Sequence, residues 1–198
     1  MFIYLKSINF LLISLIVILL NGCSSTNMKD FENKTPKLNL FEFFKGETVA
    51  YGIFEDRFGK LRRQFRVKIK GSVEENILTL DEKFIYDDGE KATRIWKIKK
   101  IKENNNLIKY EGSADDVEGL ATGTSVGNAL NWTYDIYLNI KGSNLKVKFN
   151  DWIYKQDSNI AINRAYVSKF GIDIGSVTLV FLKGQTAKTV SPLNINSW

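Results

Sequence analysis

An all-β fold is the class that this sequence predicts, as an antiparallel meander of about eight to ten strands closed into a barrel. Short runs rich in β-branched and aromatic residues alternate with turn-forming clusters from residue 38 to residue 183. Within these runs, apolar and polar side chains alternate with a period of two. With 198 residues, of which 44% are hydrophobic, the chain can build the core of one domain after a targeting segment is set aside.

Nine segments carry the strand pattern. The connections at 58–60, 87–90, 103–106 and 141–144 contain the glycine, asparagine or aspartate that tight turns need. A meander of this length folds its apolar face inward and closes, since closure removes exposed strand edges. The predicted strands are 47–57, 61–70, 77–87, 93–102, 107–112, 132–140, 145–154, 160–169 and 176–183.

The alternation predicts which side of the barrel is apolar. Phe65, Val67 and Ile69 share one face of the strand 61–70, and its basic residues occupy the other face. Charged side chains on a strand that faces lipid would each cost about 2–4 kcal/mol at the middle of a bilayer. We therefore expect a barrel that stands in water and has an apolar interior.

The stretch from residue 110 to residue 134 does not follow the pattern of strands and turns. Its glycines at 112, 119, 123 and 127 could lie along one face of a short helix near 117–130, or give positive φ in a Gly-rich loop. Either conformation lets other groups pack closely. The positions singled out as a signature are Asp115, Asp116, Gly119, Gly123, Gly127 and Asn128.

Asp115 and Asp116 are open to two interpretations. An aspartate just before a helix accepts hydrogen bonds from the first backbone N–H groups, and this capping role is the favoured one. Together with Glu118 they could instead bind a hard cation or face the headgroup of a ligand. The spacing of a calcium-binding EF-hand is absent, so no metal is predicted.

Asp151 and Arg164 are charged residues in register with apolar neighbours on two predicted strands. If the hairpin turns around residues 157–158, the two side chains lie opposite each other and form a charge pair. The pair would either lock one end of the barrel or anchor the polar end of a ligand.

Five aromatic residues at alternating strand positions are candidates for the lining of a ligand pocket. The same arrangement is common in a filled hydrophobic core, and both interpretations stay open. The five are Trp132, Tyr134, Phe149, Trp152 and Tyr166.

The composition argues against several functions. The chain has no histidine, which excludes Ser-His-Asp and Cys-His catalysis and imidazole metal sites. No catalytic residue and no cofactor are predicted. A net charge of +6 without a basic cluster suits an anionic membrane surface and does not indicate nucleic-acid binding.

The N-terminus reads as a lipoprotein signal peptide over residues 1–22. Its apolar run is too short to span a bilayer, and Leu20-Asn21-Gly22-Cys23 resembles a lipobox. Lipid attachment at Cys23 would anchor the protein to a membrane. Ser24 follows the cysteine where inner-membrane retention would prefer aspartate, so we expect the periplasmic face of the outer membrane, with the inner membrane as the alternative.

Residues 23–37 are expected to form an acylated start and a flexible tether, and 38–198 the barrel domain, whose tail at 184–198 could be loose.

A family of Gram-negative lipoproteins, catalogued as domain of unknown function 3833, resembles this chain. Its signature is similar to residues 111–134, which read E-G-S-A-D-D-V-E-G-L-A-T-G-T-S-V-G-N-A-L-N-W-T-Y. Further blocks at 54–65, 78–90, 151–157 and 162–171 extend the resemblance over nearly all of the chain after the N-terminal segment. The resemblance implies a lipid-anchored, lipocalin-like β-domain. It implies no known activity.

Three hypotheses for function follow. The first is a binding module whose periplasmic barrel holds or transfers a fatty acid or lipid. The second is a structural or assembly protein of the outer membrane, with a filled core, that acts through its surface on a protein partner not identifiable from the sequence. The third, ranked lowest, is a carboxylate-based enzyme that uses Asp115, Asp116 or Asp151.

Overall fold

Ten antiparallel strands form a closed barrel in the computed structural model, which describes residues 26–104, 106–140, 143–190 and 194–198, without the side chains of 139, 140 and 143. Each strand pairs with its neighbours in sequence, and β1 pairs with β10 to close the sheet. The predicted all-β class and the strand number are confirmed. The signal segment and Cys23 lie outside the described residues.

The strand order follows the chain order around the barrel. Two short α-helices, α1 (Leu40–Phe44) and α2 (Gly184–Val190), precede and follow the strands, and a 3-10 helix spans Met28–Phe31. None of the helices in the described ranges has the length and apolar character to cross a bilayer. The strands are β1 (Gly46–Asp56), β2 (Leu61–Glu74), β3 (Ile77–Tyr86), β4 (Lys91–Asn104), β5 (Leu107–Ser113), β6 (Val117–Val126), β7 (Ala129–Ile140), β8 (Ser143–Lys155), β9 (Ile160–Lys169) and β10 (Ile172–Lys183).

The alternation of side chains predicted from the sequence holds in the structure. Phe65, Val67 and Ile69 are buried on the inside of β2, while Lys68 and Lys70 between and beside them are exposed. The inward faces of the strands form the hydrophobic core, and the charged residues of these strands cover the outside.

A helix or Gly-rich loop near 117–130 was the wrong expectation, because residues 117–126 form strand β6. Gly127, with φ of +54°, makes the tight turn from β6 to β7, and Gly119, with φ of +69°, lies at an irregularity in the pairing of the same strands. Gly123 is an inward position of β6 that carries no side chain. Three glycines within one hairpin therefore hide the alternation by which a strand is recognised.

Gly112 and Gly123 leave room for one large side chain, that of Trp132. A Cβ atom at Gly123 would lie 2.2 Å from Cε3 of Trp132, and a Cβ atom at Gly112 would lie 2.8 Å from its Cζ2. The indole therefore packs flat against the backbone of β5 and β6. Glycine is required at these inward positions because any side chain would collide with the ring.

The N-terminal segment closes one end of the barrel. The amide of Leu40 donates to the Tyr110 hydroxyl at 3.3 Å, and the Ser125 hydroxyl donates to the carbonyl of Leu38 at 2.5 Å. These bonds hold α1 across the end where Gly127 turns. Residues 26–37, the part of the predicted tether that the structure describes, also lie against the barrel, where Phe31 packs on Trp152 with ring centroids 6.0 Å apart.

The C-terminal tail also contacts the barrel in the described residues. Ala187 of α2 is buried, and the Trp198 ring lies 4.4 Å from the guanidinium carbon of Arg66 on the outside of β2.

We predict that Gly123→Ala destabilises the fold by about 1–3 kcal/mol, because the new methyl group overpacks the wall against Trp132. Urea denaturation measures the change. In the double variant with Trp132→Phe, the smaller ring should recover part of the loss, so the two substitutions should not be additive. Equal effects of Gly123→Ala with and without Trp132→Phe would contradict this account of the glycine.

Candidate functional site

The barrel contains a cavity of about 450 Å³. It reaches from Leu40 and Phe44 of α1, at the closed end, to Arg63 and Ile174 near the hairpin turns of the opposite end. In the described part of the chain, this opposite end carries only turns, so we call it the open end. Most of the lining is apolar or aromatic, as in the sites of small hydrophobic ligands.

Three of the five aromatic residues singled out in the sequence line this cavity, namely Trp132, Tyr134 and Phe149. Tyr134 stacks on Phe149 with ring centroids 5.3 Å apart. Trp152 and Tyr166 do not line it, and their assignment to the pocket was wrong. Both are on the outer face of the sheet, where Trp152 is covered by Phe31 and Tyr166 is 45% exposed.

The predicted pair between Asp151 and Arg164 does not form. Asp151 is paired with Ala165 and points inward, whereas Arg164 is paired with Trp152 and lies on the outside. There Arg164 donates to the Thr178 hydroxyl at 3.0 Å and lies 3.8 Å from Glu55.

The turn between β8 and β9 explains the error in register. It lies where the sequence predicted, but Gln156 bonds to the Ile160 carbonyl, so the loop has the three residues 157–159. The Asp157 carboxylate accepts from the amides of Asn159 and Ile160 at 2.7 and 2.8 Å, which stabilises this longer loop. A shift of one residue places facing side chains on opposite sides of the sheet.

A cluster of six polar side chains interrupts the apolar lining, and we call it the polar cluster. Its members come from five strands and from the turn between β5 and β6. Glu82 and Arg94 are directly opposite each other on β3 and β4. The members are Glu82, Arg94, Asp116, Tyr134, Asp151 and Asn163.

Arg94 and Asp116 form an ion pair inside the barrel. The Asp116 Oδ2 atom accepts from Nη2 of Arg94 at 2.5 Å and from Nε at 3.1 Å. Both side chains keep some accessible surface, 24% and 35%, and both face the cavity. Charges in such a place must be paired, since an isolated ion is poorly solvated there.

Asp151 lies deeper among side chains of β7, β8 and β9. Its Oδ1 atom accepts from the Asn163 amide at 2.9 Å. Its Oδ2 atom and the Oδ1 atom of Asp116 are buried without a hydrogen-bond partner among the described residues. Two acceptors in the polar cluster thus have no hydrogen bond of normal geometry, although the Tyr134 hydroxyl lies near Asp151, and a donor group could stabilise each.

Burial changes the titration of the cluster. It raises the pKa of Glu82 to about 7, although the Arg94 guanidinium opposes the change. Burial also raises the pKa of Asp151 to about 6, against the effect of the neighbouring Asn163 and Tyr134. Carboxyl groups with such values can bind or release a proton near neutral pH, and they can donate a hydrogen bond when protonated.

The charge balance of the cluster is negative when its carboxyl groups are ionised. Glu82, Asp116 and Asp151 face the single guanidinium of Arg94. Burial alone would lower the pKa of Arg94, but the neighbouring Tyr134, Glu82 and Asp116 outweigh it and hold the pKa above its usual value. Arg94 is therefore charged at every physiological pH.

Asp115 and Asp116 do not cap a helix, because strand β6 follows them. Asp115 is exposed, and Asp116 turns inward to Arg94. Within the described ranges, no group of three or more acidic, cysteine or histidine side chains could hold a metal ion. Asn128 has a structural contact, since its amide donates to the carbonyl of Lys155 at 3.2 Å.

Four residues that line the cavity were not identified from the sequence, namely Glu82, Arg94, Asn163 and, at the open end, Arg63. The alternation held a signal for Glu82, which shares the inward parity of Leu80 and Phe84 on its strand. Arg63 lies at the open end, within 2.8 Å of Asp88 and 2.6 Å of Glu90, and its guanidinium carbon is 3.6 Å from the ring centroid of Tyr86.

Comparisons with known proteins give a fold and a family. A search of curated proteins finds no significant match. Among solved structures, the S-type phycobiliprotein lyase CPES from Guillardia theta is similar, with a TM-score of 0.55 and 9% sequence identity over 81% of this chain and 98% of the lyase chain. This likeness confirms the lipocalin-like fold and, at such low identity, shows the fold alone. Residues 17–183 match the family described as "Protein of unknown function (DUF3833)", and the chain belongs to that family.

Proposed function

We propose that the protein is a lipid-anchored lipoprotein of the cell envelope whose barrel binds a hydrophobic molecule, a lipid or fatty acid, and holds or transfers it. The observation that carries this proposal is the cavity inside the barrel. Its volume of about 450 Å³ lies in the range of small-molecule sites, roughly 300–1,000 Å³. Its largely apolar wall suits an alkyl chain, which gains about 0.8 kcal/mol per buried CH₂ group.

The alternative is a structural or assembly protein that acts through its surface. That hypothesis was paired with a filled core, and the cavity favours binding over it. The similar lyase is, by its name, a protein that acts on phycobiliproteins. We carry none of that activity over to this chain, because the fold alone does not imply function.

The polar cluster indicates what kind of polar group the ligand carries. Three carboxyl groups surround one guanidinium, and Asp116 already occupies two of the N–H groups of Arg94. An anionic headgroup would be repelled by the ionised carboxylates. A hydroxyl or amide group can instead donate to the unpartnered oxygens of Asp116 and Asp151. The ligand class that fits is a neutral lipid with a hydrogen-bond donor.

The proposed anchor would act from the closed end of the barrel. The described chain begins at Thr26, and Phe31 in the segment that follows packs on Tyr154 and beside Gly127, at the end of the barrel that α1 closes. An acyl group on Cys23 would therefore join the protein to the membrane near that end. The outer membrane, periplasmic face, is the proposed location, on the basis of Ser24 after the cysteine.

We predict that the protein takes up hexadecanol and that Ala92→Phe abolishes the uptake. Ala92 lines the cavity beside Phe84, so a phenyl ring there would fill space that the ligand needs. Displacement of fluorescent N-phenylnaphthylamine measures binding in a chain that begins at Ser24, which contains the whole described fold. The matched control is Thr122→Phe, which adds the same ring on the outside of β6.

Two results would decide against parts of this proposal. A barrel that takes up neither hexadecanol nor palmitate would favour the surface-acting structural protein. Equal or tighter binding of palmitate at pH 8 would leave lipid binding in place but contradict the preference for a neutral headgroup.

A second prediction concerns pH. The pKa of Glu82 is raised from 4.5 to about 7, so the folded state holds the proton more tightly than the unfolded state. The stability contributed by the protonated form is present below pH 4.5 and is lost as pH rises towards 7. Glutamine does not titrate, so Glu82→Gln lacks this loss. The free energy of unfolding of the variant, relative to that of the wild type, should therefore rise by about 3 kcal/mol from pH 4.5 to pH 8.

Urea denaturation at the two pH values measures this difference. Glu74→Gln, at an exposed position near the end of β2, is the control and should show no such gain. A stability difference between Glu82→Gln and wild type that does not change with pH would show that Glu82 titrates as an exposed carboxyl group does.

A third prediction tests the anchor. Cys23→Ser should release the protein from the membrane or leave its signal peptide uncleaved, because no thioether to diacylglycerol can form. Fractionation and mass measurement of the mature N-terminus check this. An unmodified Cys23 in the mature wild-type protein would refute lipidation.

A further inference from the structure

Two neighbouring hairpin turns at the open end of the barrel each expose a phenylalanine. Phe58 lies in the turn from β1 to β2 and is 80% exposed, and Phe170 lies in the turn from β9 to β10 and is 93% exposed. Strand β1 lies between β2 and β10, so the two turns are adjacent. Their position is opposite to α1 and to the N-terminal segment.

The backbone at Phe170 is unfavourable for the residue that occupies it. Phe170 has φ of +51° and is followed by Gly171 with φ of +76°. Tight hairpin turns with two positive φ values favour Asn, Asp or Gly, because a bulky side chain is strained in this conformation. A ring that is 93% exposed adds almost no buried area to the fold. A strained residue with no role in folding indicates a role in binding.

Further apolar side chains widen this surface. Leu61 and Ile172 begin the strands that follow the two turns, and they are 48% and 59% exposed. We call Phe58, Leu61, Phe170 and Ile172 the tip patch. Isolated exposed apolar residues are ordinary, but four in and directly after two adjacent turns concentrate apolar surface at one end of the barrel, as at an interaction site.

Cations surround the tip patch. The Arg57 guanidinium carbon lies 4.7 Å from the ring centroid of Phe58, and Nζ of Lys169 lies 5.2 Å from that of Phe170. Residues 56–62 and 168–173 together carry four cationic and two acidic side chains. One of the two acidic side chains, Asp56, is bound to Arg62 at 2.6 Å. The surface is therefore positive as well as apolar.

We propose that the tip patch docks on an anionic lipid bilayer, with its phenylalanine rings in the headgroup region and the surrounding cations on the lipid phosphates. Apolar side chains rimmed by Lys and Arg are what an interfacial membrane site needs. A bilayer is favoured over a protein partner because cations lie against both exposed rings, where the phosphates of anionic lipids would meet them. The docking does not depend on what the cavity binds.

Docking would turn the open end of the cavity towards that bilayer. The anchor proposed at Cys23 belongs to the opposite, closed end. A protein held by its anchor on one membrane would thus present the tip patch to a second lipid surface.

The test measures co-sedimentation with vesicles, using a chain that begins at Ser24, so that no acyl group and no signal peptide contribute. The vesicles contain phosphatidylethanolamine and phosphatidylglycerol, and phosphatidylcholine vesicles are the uncharged comparison. We expect the wild type to bind the anionic vesicles. The double variant Phe58→Ser/Phe170→Asn should bind at least about tenfold more weakly. Lys60→Gln/Lys169→Gln should lose the preference for anionic vesicles.

A stability measurement separates docking from a structural role. Phe170→Asn should unfold at the same or a higher urea concentration than wild type, because Asn tolerates the positive φ, while its vesicle binding falls. Leu120→Ser is the matched control, since Leu120 is 61% exposed on the wall of β6, away from the tip patch. It should bind as wild type does.

Three results would overturn the proposal. They are a wild type that does not bind anionic vesicles, binding that survives the loss of both phenylalanines, and a loss of stability in Phe170→Asn that matches its loss of binding.

Discussion

A sheet of ten strands that closes on itself encloses more volume than its own inward side chains fill, and this constraint shapes the rest of the molecule. Barrels of eight strands are just filled or hold one small ligand, and the diameter grows with strand number. Here two inward positions on neighbouring strands, Gly112 and Gly123, carry no side chain, and one indole covers both. Helix α1 fills only the closed end. The space that remains is the cavity.

The open interior also explains how the barrel tolerates buried charge. Asp116 reaches in from a turn to meet Arg94, while Glu82 and Asp151 keep their protons to a higher pH than exposed carboxyl groups do. If the interior of the barrel were filled, replacing these charged groups with hydrophobic side chains would stabilise the fold. Their presence in a cavity is consistent with the proposed recognition of a polar group on a ligand.

Much of this fold could be predicted from the sequence, because alternation reports directly on which face of a strand is buried. The prediction was wrong where the alternation is weak or where the geometry of a loop sets the register of the next strand. Gly119 and Gly123 hide strand β6, since glycine belongs to neither face. The three-residue loop 157–159 moves β9 by one residue and separates Asp151 from Arg164. Arg94 meets Asp116 because the turn after β5 continues the pairing in which Lys97 faces Ser113, and the bulge between Lys100 and Lys102 that sets this register has no mark in the alternation.

The pairing of β1 with β10 has a consequence for how the protein is made. Every other pairing joins strands that are consecutive in sequence and can form as soon as both have been synthesised. Strand β1 can pair with β10 only after Lys183, the partner of Thr48, has been added to the chain. Such a non-local contact is slow to form, and until it does both edge strands stay open to pairing with other chains. The barrel can close only after almost the whole polypeptide has been made. Protection of the unclosed chain from aggregation is therefore a requirement that this topology places on the cell.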